Sequence, residues 1–330
     1  MMHMPTHRPT HPQQQQGTAI ITALLVVLLA ASVAAFLLAQ QSHALTRTAR
    51  ANERAQAMLL SQPLLQWARM SLFEFQKNNK SVDLTQRWAQ PIGSQLIEGA
   101  VATGFFRDET GRFNVNSMVS DDGRKSEVDV AVFKRLLENL GLNPALGNAL
   151  ADWVDKDDET SFPGGAEDLD YLALPQPYRA ANQRIVQIEE LYRIKGFDVA
   201  TVTKLKPFIT ALPSRTKINI NTAPEEVLTA ALPELGKAAM DELLNRRMTR
   251  PFRSLDDDKD DKGIKGFLKD VPPAKVEQML DFNSGYFSIN LGISTGSTQL
   301  RQSALLQRIT PNASTPTVVT WPRIIWVKDD

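Results

Sequence analysis

The chain has 330 residues, 42% hydrophobic and 22% charged, with 37 basic and 37 acidic side chains and so no formal net charge; neutrality argues against a broad electrostatic grip on nucleic acid or anionic lipid. There is no cysteine, and the four histidines (His3, His7, His11, His43) all lie before or just after the first long apolar run. From residue 44 onward, disulfides, zinc of the usual ligand types and Ser-His-Asp or Cys-His catalysis are therefore excluded, and the length suits one membrane helix plus one large or two smaller globular units.

Thr18 to Ala39 is a charge-free apolar run that spans roughly 30 Å as a helix, enough for one bilayer crossing. Three readings apply. A cleavable secretory signal would have a shorter apolar core; a plain uncleaved anchor needs no cleavage motif; a type IV pilin-like leader is cut after a glycine that directly precedes the apolar helix. Gln16-Gly17-Thr18-Ala19-Ile20-Ile21 resembles the third, with cleavage between Gly17 and Thr18, and Arg8 is the leader's only lysine or arginine. Arg47, Arg50 and Arg54 beyond the run oppose this, because positive flanks favour the cytoplasmic side. The leader junction is the more specific signal and places the body on the far side of the membrane.

Beyond the span, Leu45, Ala49, Asn52, Gln56, Leu59 and Leu60 trace a loose helical stripe, and no glycine or proline interrupts residues 18–62. One long helix is expected, with a kink or restart at Pro63, which lacks a backbone donor. Residues 88–119 read as strands, with Asp108-Glu109-Thr110-Gly111 as a hairpin turn. From Glu127 to about Asp281 helical periods dominate (VAVFKRLLENL, NALADWV, QIEELYRI, VATVTKLKPFITAL), and residues 285–327 return to strands. Runs of each type, rather than strand–helix alternation, indicate an α+β chain with helices inserted between strands. A weak internal repeat pairs Gly111–Met118 (GRFNVNSM) with Thr216–Ala223 (TKININTA), each followed by a helix–turn–helix-like stretch.

Eight carboxylates fall within residues 152–170, offset only by Lys156. Folding such a loop brings like charges together unless a cation neutralises them. Calcium suits it, taking six to eight oxygens in flexible geometry, with Gly164-Gly165 allowing a tight return; the EF-hand spacing fails, and a solvated acidic loop is the alternative. A second acidic cluster, Asp256–Gly263, is offset by its lysines and reads as an exposed loop. Paired carboxylates could serve a glycosidase, but nothing fixes their separation, and no enzyme activity or organic cofactor is expected. Thr222-Ala-Pro-Glu225 reads as a capping box that starts a helix at Thr222.

The stretch from Ile220 to Asp257 resembles the helix-hairpin-helix units of DNA-uptake and repair proteins, which hold phosphates on backbone N–H groups. Its hairpin is Pro233-Glu234-Leu235-Gly236, where glutamate replaces a glycine, against Arg246, Arg247, Arg250 and Arg253. A membrane-tethered DNA-binding or DNA-uptake protein is thus the alternative function, with nucleic acid binding expected to be lost.

As a set, the leader and apolar helix, GRFNVN at 111–116, the DW-x-D-x-D and GAE-x-x-x-Y pieces at 152–171, Ala181-Asn182 ahead of Glu190-Leu191, Ala211-Leu212-Pro213 ahead of Ile218-Asn219, and NTAPEEVL at 221–228 resemble the type II secretion minor pseudopilin K (general secretion pathway protein K) family. The resemblance implies a type IV pilin-like fold, a long transmembrane helix plus an antiparallel sheet, with a large inserted helical domain of two SAM/helix-hairpin-helix-like units. The expected division is leader 1–17, membrane segment 18–39, periplasmic helix and following helix 40–87, strands 88–119, inserted helical domain 120–283 and C-terminal strands 284–330. It also implies Ca2+ at the acidic loop, carried to Asp155, Asp157 and Glu167 first, then Asp158 and Asp170. The implied partners are the minor pseudopilins I and J, other pseudopilins, the inner-membrane assembly platform, the prepilin peptidase and secreted cargo. The implied setting is the bacterial inner membrane, with the N-terminus cytoplasmic before processing and the body periplasmic. Ordinary pilins carry glutamate five residues into the mature chain; here Thr22 stands there, which suits a subunit capping the tip of the pseudopilus.

Overall fold

The structure is a computed structural model and describes residues 16–79, 81–255, 264–308 and 320–329. Residues 1–15 of the expected leader and the Asp256–Gly263 cluster lie outside the described residues. Helix α1 (Gln16–Asn78) is 63 residues long and, among the described residues, is the one helix long and apolar enough to cross a membrane. It runs through Pro63 without a break. Proline removes the donor for one carbonyl in the preceding turn, and that turn, at Leu59, is open to water. The expected restart therefore does not occur.

Two strands follow α1, β1 (Ile92–Ile97) and β2 (Ala100–Asp108). Their antiparallel pairing turns at Glu98-Gly99, both with positive φ (48° and 80°), not at Asp108–Gly111 as expected. A two-residue turn with both φ values positive matches strand twist and is where glycine is favoured. The chain then leaves the sheet through β3 (Phe113–Asn114), α2 (Glu127–Asn139), α3 (Leu146–Val154), α4 (Asp168–Leu172), α5 (Val199–Leu205), β4 (Ile209–Thr210), β5 (Ile218–Asn219), α6 (Glu225–Ala231), α7 (Lys237–Thr249), α8 (Ile264–Phe267), α9 (Pro273–Met279) and β6 (Leu280–Asp281). It returns as β7 (Tyr286–Thr295), β8 (Thr298–Gln307) and β9 (Arg323–Asp329). The five-stranded sheet has the order β1-β2-β7-β8-β9 with every pairing antiparallel. Val115–Met118 and Ile188–Arg193, read from sequence as strand and helix, are 3-10 turns.

Strand β2 alternates buried and exposed residues along its length, so one face packs and the other is wet. The packed face meets α1: Leu65, Ala68 and Leu72 share a core with Trp88, Phe106, Phe287 and Ile289, and Ala57 and Leu60 share one with Ala100 and Ile293. The expected stripe is only partly right. Leu45 and Leu59 are 72% and 75% exposed, whereas the buried stripe is Ala57, Ser61, Leu65, Ala68 and Leu72. At the end of the sheet nearer the apolar run, Glu53 accepts hydrogen bonds from Ser297 N (3.1 Å) and Thr298 Oγ1 (2.9 Å). Gln56 Nε2 donates to Glu98 O (3.1 Å), so α1 holds both hairpin turns.

The segments between β2 and β7 share one separate core, centred on Phe113, Phe133, Leu137, Leu150, Leu228 and Leu243. The two repeated sequences do equivalent work in it. Phe113-Asn114 pairs in parallel with Ile209-Thr210, and Ile218-Asn219 with Leu280-Asp281. Asn116 Oδ1 accepts from Ile185 N (2.9 Å) while its Nδ2 donates to Ile185 O (2.8 Å). Asn221, at the matching place, does the same to Phe252 (2.9 and 2.7 Å). A side-chain amide carries a donor and an acceptor side by side and so satisfies the backbone N–H and C=O of one residue together, which suits asparagine in both copies.

The expected cap at Thr222 is absent. Helix α6 begins at Glu225 after Pro224, and the Thr222 hydroxyl instead donates to Asp108 Oδ2 (2.6 Å). That carboxylate also accepts from Ser284 Oγ (2.6 Å), Asn219 Nδ2 (3.1 Å), Thr110 N (2.9 Å) and Thr110 Oγ1 (2.7 Å). Asn219 Nδ2 further donates to Val82 O (3.0 Å). Asp108 therefore joins the outgoing strand, the second repeat, the returning segment and the chain after α1.

Candidate metal centre

Helix α3 is buried along its whole length and ends at Asp155, delivering Asp152 and Asp155 beneath the acidic loop. The loop returns through Gly164, with φ of 86°, and Gly165, where a Cβ would collide with Asp152 Oδ2 and Ser161 O. Asp152 Oδ2 organises this return by accepting from Ser161 N (2.9 Å) and Ala166 N (3.1 Å). Glu167 then precedes α4, and its backbone N–H donates to Asp170 Oδ2 (3.3 Å). Gly165→Ala is expected to displace this return and to lower the melting temperature by several degrees; an unchanged melt would contradict the close approach.

Asp155 and Glu167 are 0% and 3% exposed. Both oxygens of each, and Oδ1 of Asp152, have no hydrogen-bond partner. Burial pushes Asp155 up to about 7, helped by repulsion from Asp157 and Asp152. It pushes Glu167 up to about 8, with Asp152, Asp155, Asp158 and Asp157 adding to it. Buried carboxylates without donors are costly unless a proton or a cation joins them.

The other expected ligands stand differently. Asp157 and Asp158 are exposed; Asp157 Oδ1 accepts from Glu159 N (3.0 Å) and Asp158 Oδ1 from Asn182 Nδ2 (3.3 Å). Asp170 is ion-paired with Lys195 (2.8 Å), and that bond holds its carboxyl below the usual range. Two residues outside the expected set belong with the site: Asp152, and Asn182, whose Oδ1 is buried without a donor. Asp152 opens the quoted DW-x-D-x-D motif, so the sequence carried its signal. Among the described residues no three acidic or histidine side chains converge as a finished ligand set. The orphaned oxygens nevertheless fit a hard, oxygen-seeking cation that draws on backbone carbonyls and water as well.

Two of the four arginines of the helix-hairpin-helix-like stretch, Arg246 and Arg247, are turned to internal use, while Arg250 and Arg253 are exposed. Arg247 Nη1 donates to Ile220 O (2.8 Å) and Ala223 O (2.7 Å), and Arg246 lies over the Phe252 ring (4.3 Å). Glu234 in the hairpin is paired with Lys275 (2.6 Å). An ion pair thus stands where a phosphate would approach, and the DNA-binding alternative is not favoured.

Residues 111–214 and 218–277 match the family described as type II secretion system (T2SS), protein K. Among relatives, the type II secretion system protein K of Aeromonas hydrophila is 29% identical over 71% of this chain and 75% of its own length. That of Pectobacterium carotovorum subsp. carotovorum is 32% identical over 67% and 70%. For that of Pseudomonas aeruginosa the match is 36% over 53% of each chain, about half the relative's length. In fold, the chain is similar to one in the crystal structure of the GspK-GspI-GspJ complex from the enterotoxigenic Escherichia coli type 2 secretion system, with a TM-score of 0.70 and 24% identity, covering 86% of this chain and 99% of that one. The repeated asparagine segments, the acidic loop and the helices between them all lie within the matched residues, and the chain belongs to the type II secretion system protein K family.

Proposed function

We propose that the chain is a minor pseudopilin that caps the tip of the type II secretion pseudopilus, supporting its assembly and the export of folded proteins across the outer membrane. The observation that carries this reading is α1: a single helix is apolar and exposed over its first part and packed against an antiparallel sheet over its last. Such an element anchors at one end and presents a folded body at the other. In this reading α1 and the sheet are a pilin-like unit, and the helices between β2 and β7 are two SAM/helix-hairpin-helix-like units that enlarge the body. The role is structural, not enzymatic. The similar structure, a GspK-GspI-GspJ complex, suggests the first partners, minor pseudopilins I and J; other pseudopilins, the inner-membrane platform, the prepilin peptidase and cargo follow from the same role. The chain sits once through the inner membrane with its body in the periplasm. Cleavage falls between Gly17 and Thr18, and the uncharged Thr22 suits a tip position.

Calcium at the acidic loop belongs to this reading. Asp155 and Glu167 would hold it, with Asp152 and Asn182 adding oxygens and Asp157 and Asp158 standing at the rim. The ion's contribution is charge neutralisation, which lets the return through Gly164-Gly165 stay closed.

Mass spectrometry of the mature N-terminus in cells with an active prepilin peptidase is expected to find a chain beginning at Thr18. A chain still beginning at Met1, in cells where other pseudopilins are processed, would refute the assignment.

A further inference from the structure

Lys156, the lysine inside the acidic loop, is turned away from the orphaned carboxylates: it is exposed, and its Nζ donates to Asp122 O (3.3 Å). The cation that faces the loop comes from another segment. Lys125, half-buried, donates from Nζ to Ser161 Oγ (2.6 Å). Ser161 closes the loop's return, its N–H bound to Asp152 Oδ2 (2.9 Å) and its carbonyl accepting from Gly165 N (2.8 Å). Through that one residue the Lys125 ammonium stands no more than about 9 Å from the Asp152 carboxylate. Lys125 also pulls against the rise that burial and the neighbouring acids impose on Asp155.

The internal repeat sets this lysine apart. In the second copy Ala223 is followed almost at once by α6 at Glu225, whereas in the first copy residues 119–126 intervene between Met118 and α2 at Glu127. They form a turn closed by Ser120 N to Arg124 O (2.9 Å) and by a bridge between Val119 and Lys125, and Gly123 O accepts from Lys156 N (3.2 Å) at the foot of the acidic loop. The longer connection stands where the acidic loop stands, and its bridge fixes the lysine that faces it. A fixed positive charge there acts in opposite directions in the two states of the loop. Without a metal it offsets part of the repulsion among Asp152, Asp155 and Glu167. With a divalent ion on the orphaned oxygens it repels that ion. At about 9 Å this repulsion weakens binding about fivefold even at the dielectric of water, and more at the lower effective values of a half-buried site.

We propose that Lys125 is the resident counter-charge of the acidic loop and holds its calcium affinity down, so that occupancy follows the ion's concentration. This rests on the calcium reading above. The full chain in detergent is titrated with calcium by calorimetry at pH 8 and low ionic strength, where screening is least. Lys125→Met is expected to bind calcium about three- to tenfold more tightly, while its calcium-free melting temperature falls. Lys125→Gln loses the charge but keeps a donor for Ser161 and should do the same; Lys125→Arg keeps the charge and should stay within about twofold of wild type. A role confined to holding Ser161 would weaken binding in Lys125→Met instead, and would be indifferent to the charge of the ion. Terbium(III) separates the two, because repulsion scales with ionic charge: a gain of about fivefold for calcium becomes about elevenfold for terbium. Unchanged or weaker calcium binding in both neutral variants, equal gains for the two ions, or a gain in Lys125→Arg as large as in Lys125→Met would overturn the proposal and leave the calcium site standing. Wild-type chain that melts cooperatively yet takes up no calcium would overturn the calcium reading and this proposal with it.

Discussion

Calcium is expected to raise the melting temperature of the purified chain by about 5–10 °C at pH 8, measured against the same protein in chelator. The size follows from linkage: a ligand at a hundred times its Kd adds about 2.7 kcal/mol, and 1 kcal/mol moves the midpoint of a domain this large by roughly 2–4 °C. The pH dependence has a definite sign. Asp155 rises from 3.8 to about 7 and Glu167 from 4.5 to about 8, burial being the main cause. Between about pH 4 and pH 8 the calcium-free folded chain keeps protons that the unfolded chain has released. The stability this provides is complete below about pH 4 and is lost as pH rises through the folded values. Calcium replaces those protons, so its effect should be smallest near pH 5 and largest near pH 8. Asp155→Asn with Glu167→Gln should raise calcium-free stability at pH 8 and abolish the calcium response. An unaltered response in that double variant, or a calcium effect that does not grow with pH, would remove the ion from this loop.

Asp108→Ala is expected to cost about 3–5 kcal/mol and to loosen the join between the sheet and the inserted helices. The wild-type carboxylate is 5% exposed and receives hydrogen bonds from Thr110, Asn219, Thr222 and Ser284. Deletion leaves those buried donors facing a hole, and stranding buried partners of a charged group is among the largest single-residue losses. Asp108→Asn keeps the volume but turns part of the acceptor into a donor among donors, so it should recover little. Hydrogen exchange offers a direct check: amides near Asn219 and Ser284 should lose protection before those of the β7–β8 pair. Uniform loss across both regions, or a melt within 1 °C of wild type, would contradict the role given to this residue.

These sites were unequally legible. The acidic loop stands out because eight carboxylates with one lysine are conspicuous at any level of structure. Which carboxylates go inside was only partly visible: Asp157 was ranked with Asp155 and Glu167 yet is solvated, and Asp170, ranked after them, is bound to Lys195, 25 residues away. The asparagine repeat was visible as a pattern but not as a mechanism, since its partners Ile185 and Phe252 carry no mark in the sequence. Asp108 was read as part of a turn, because three of its donors, on Asn219, Thr222 and Ser284, come from segments that meet only after the inserted helices fold.

Local composition alone determined the apolar span, the lack of thiol and imidazole chemistry in the body, the succession of strands, helices and strands, and the concentration of charge at residues 152–170. Each depends on residue type over a short window, where periodicity and hydrophobicity act directly. Tertiary structure alone decided the true buried face of α1, the turn at Glu98-Gly99, the diversion of Thr222 from capping to Asp108, and the choice of Asp152, Asp155 and Glu167 as the orphaned acids. The reason is that burial and hydrogen-bond partnership are properties of pairs far apart in the chain: a side chain's neighbours, not its neighbours in sequence, set whether its charge is tolerated, spent or left to be answered by something else.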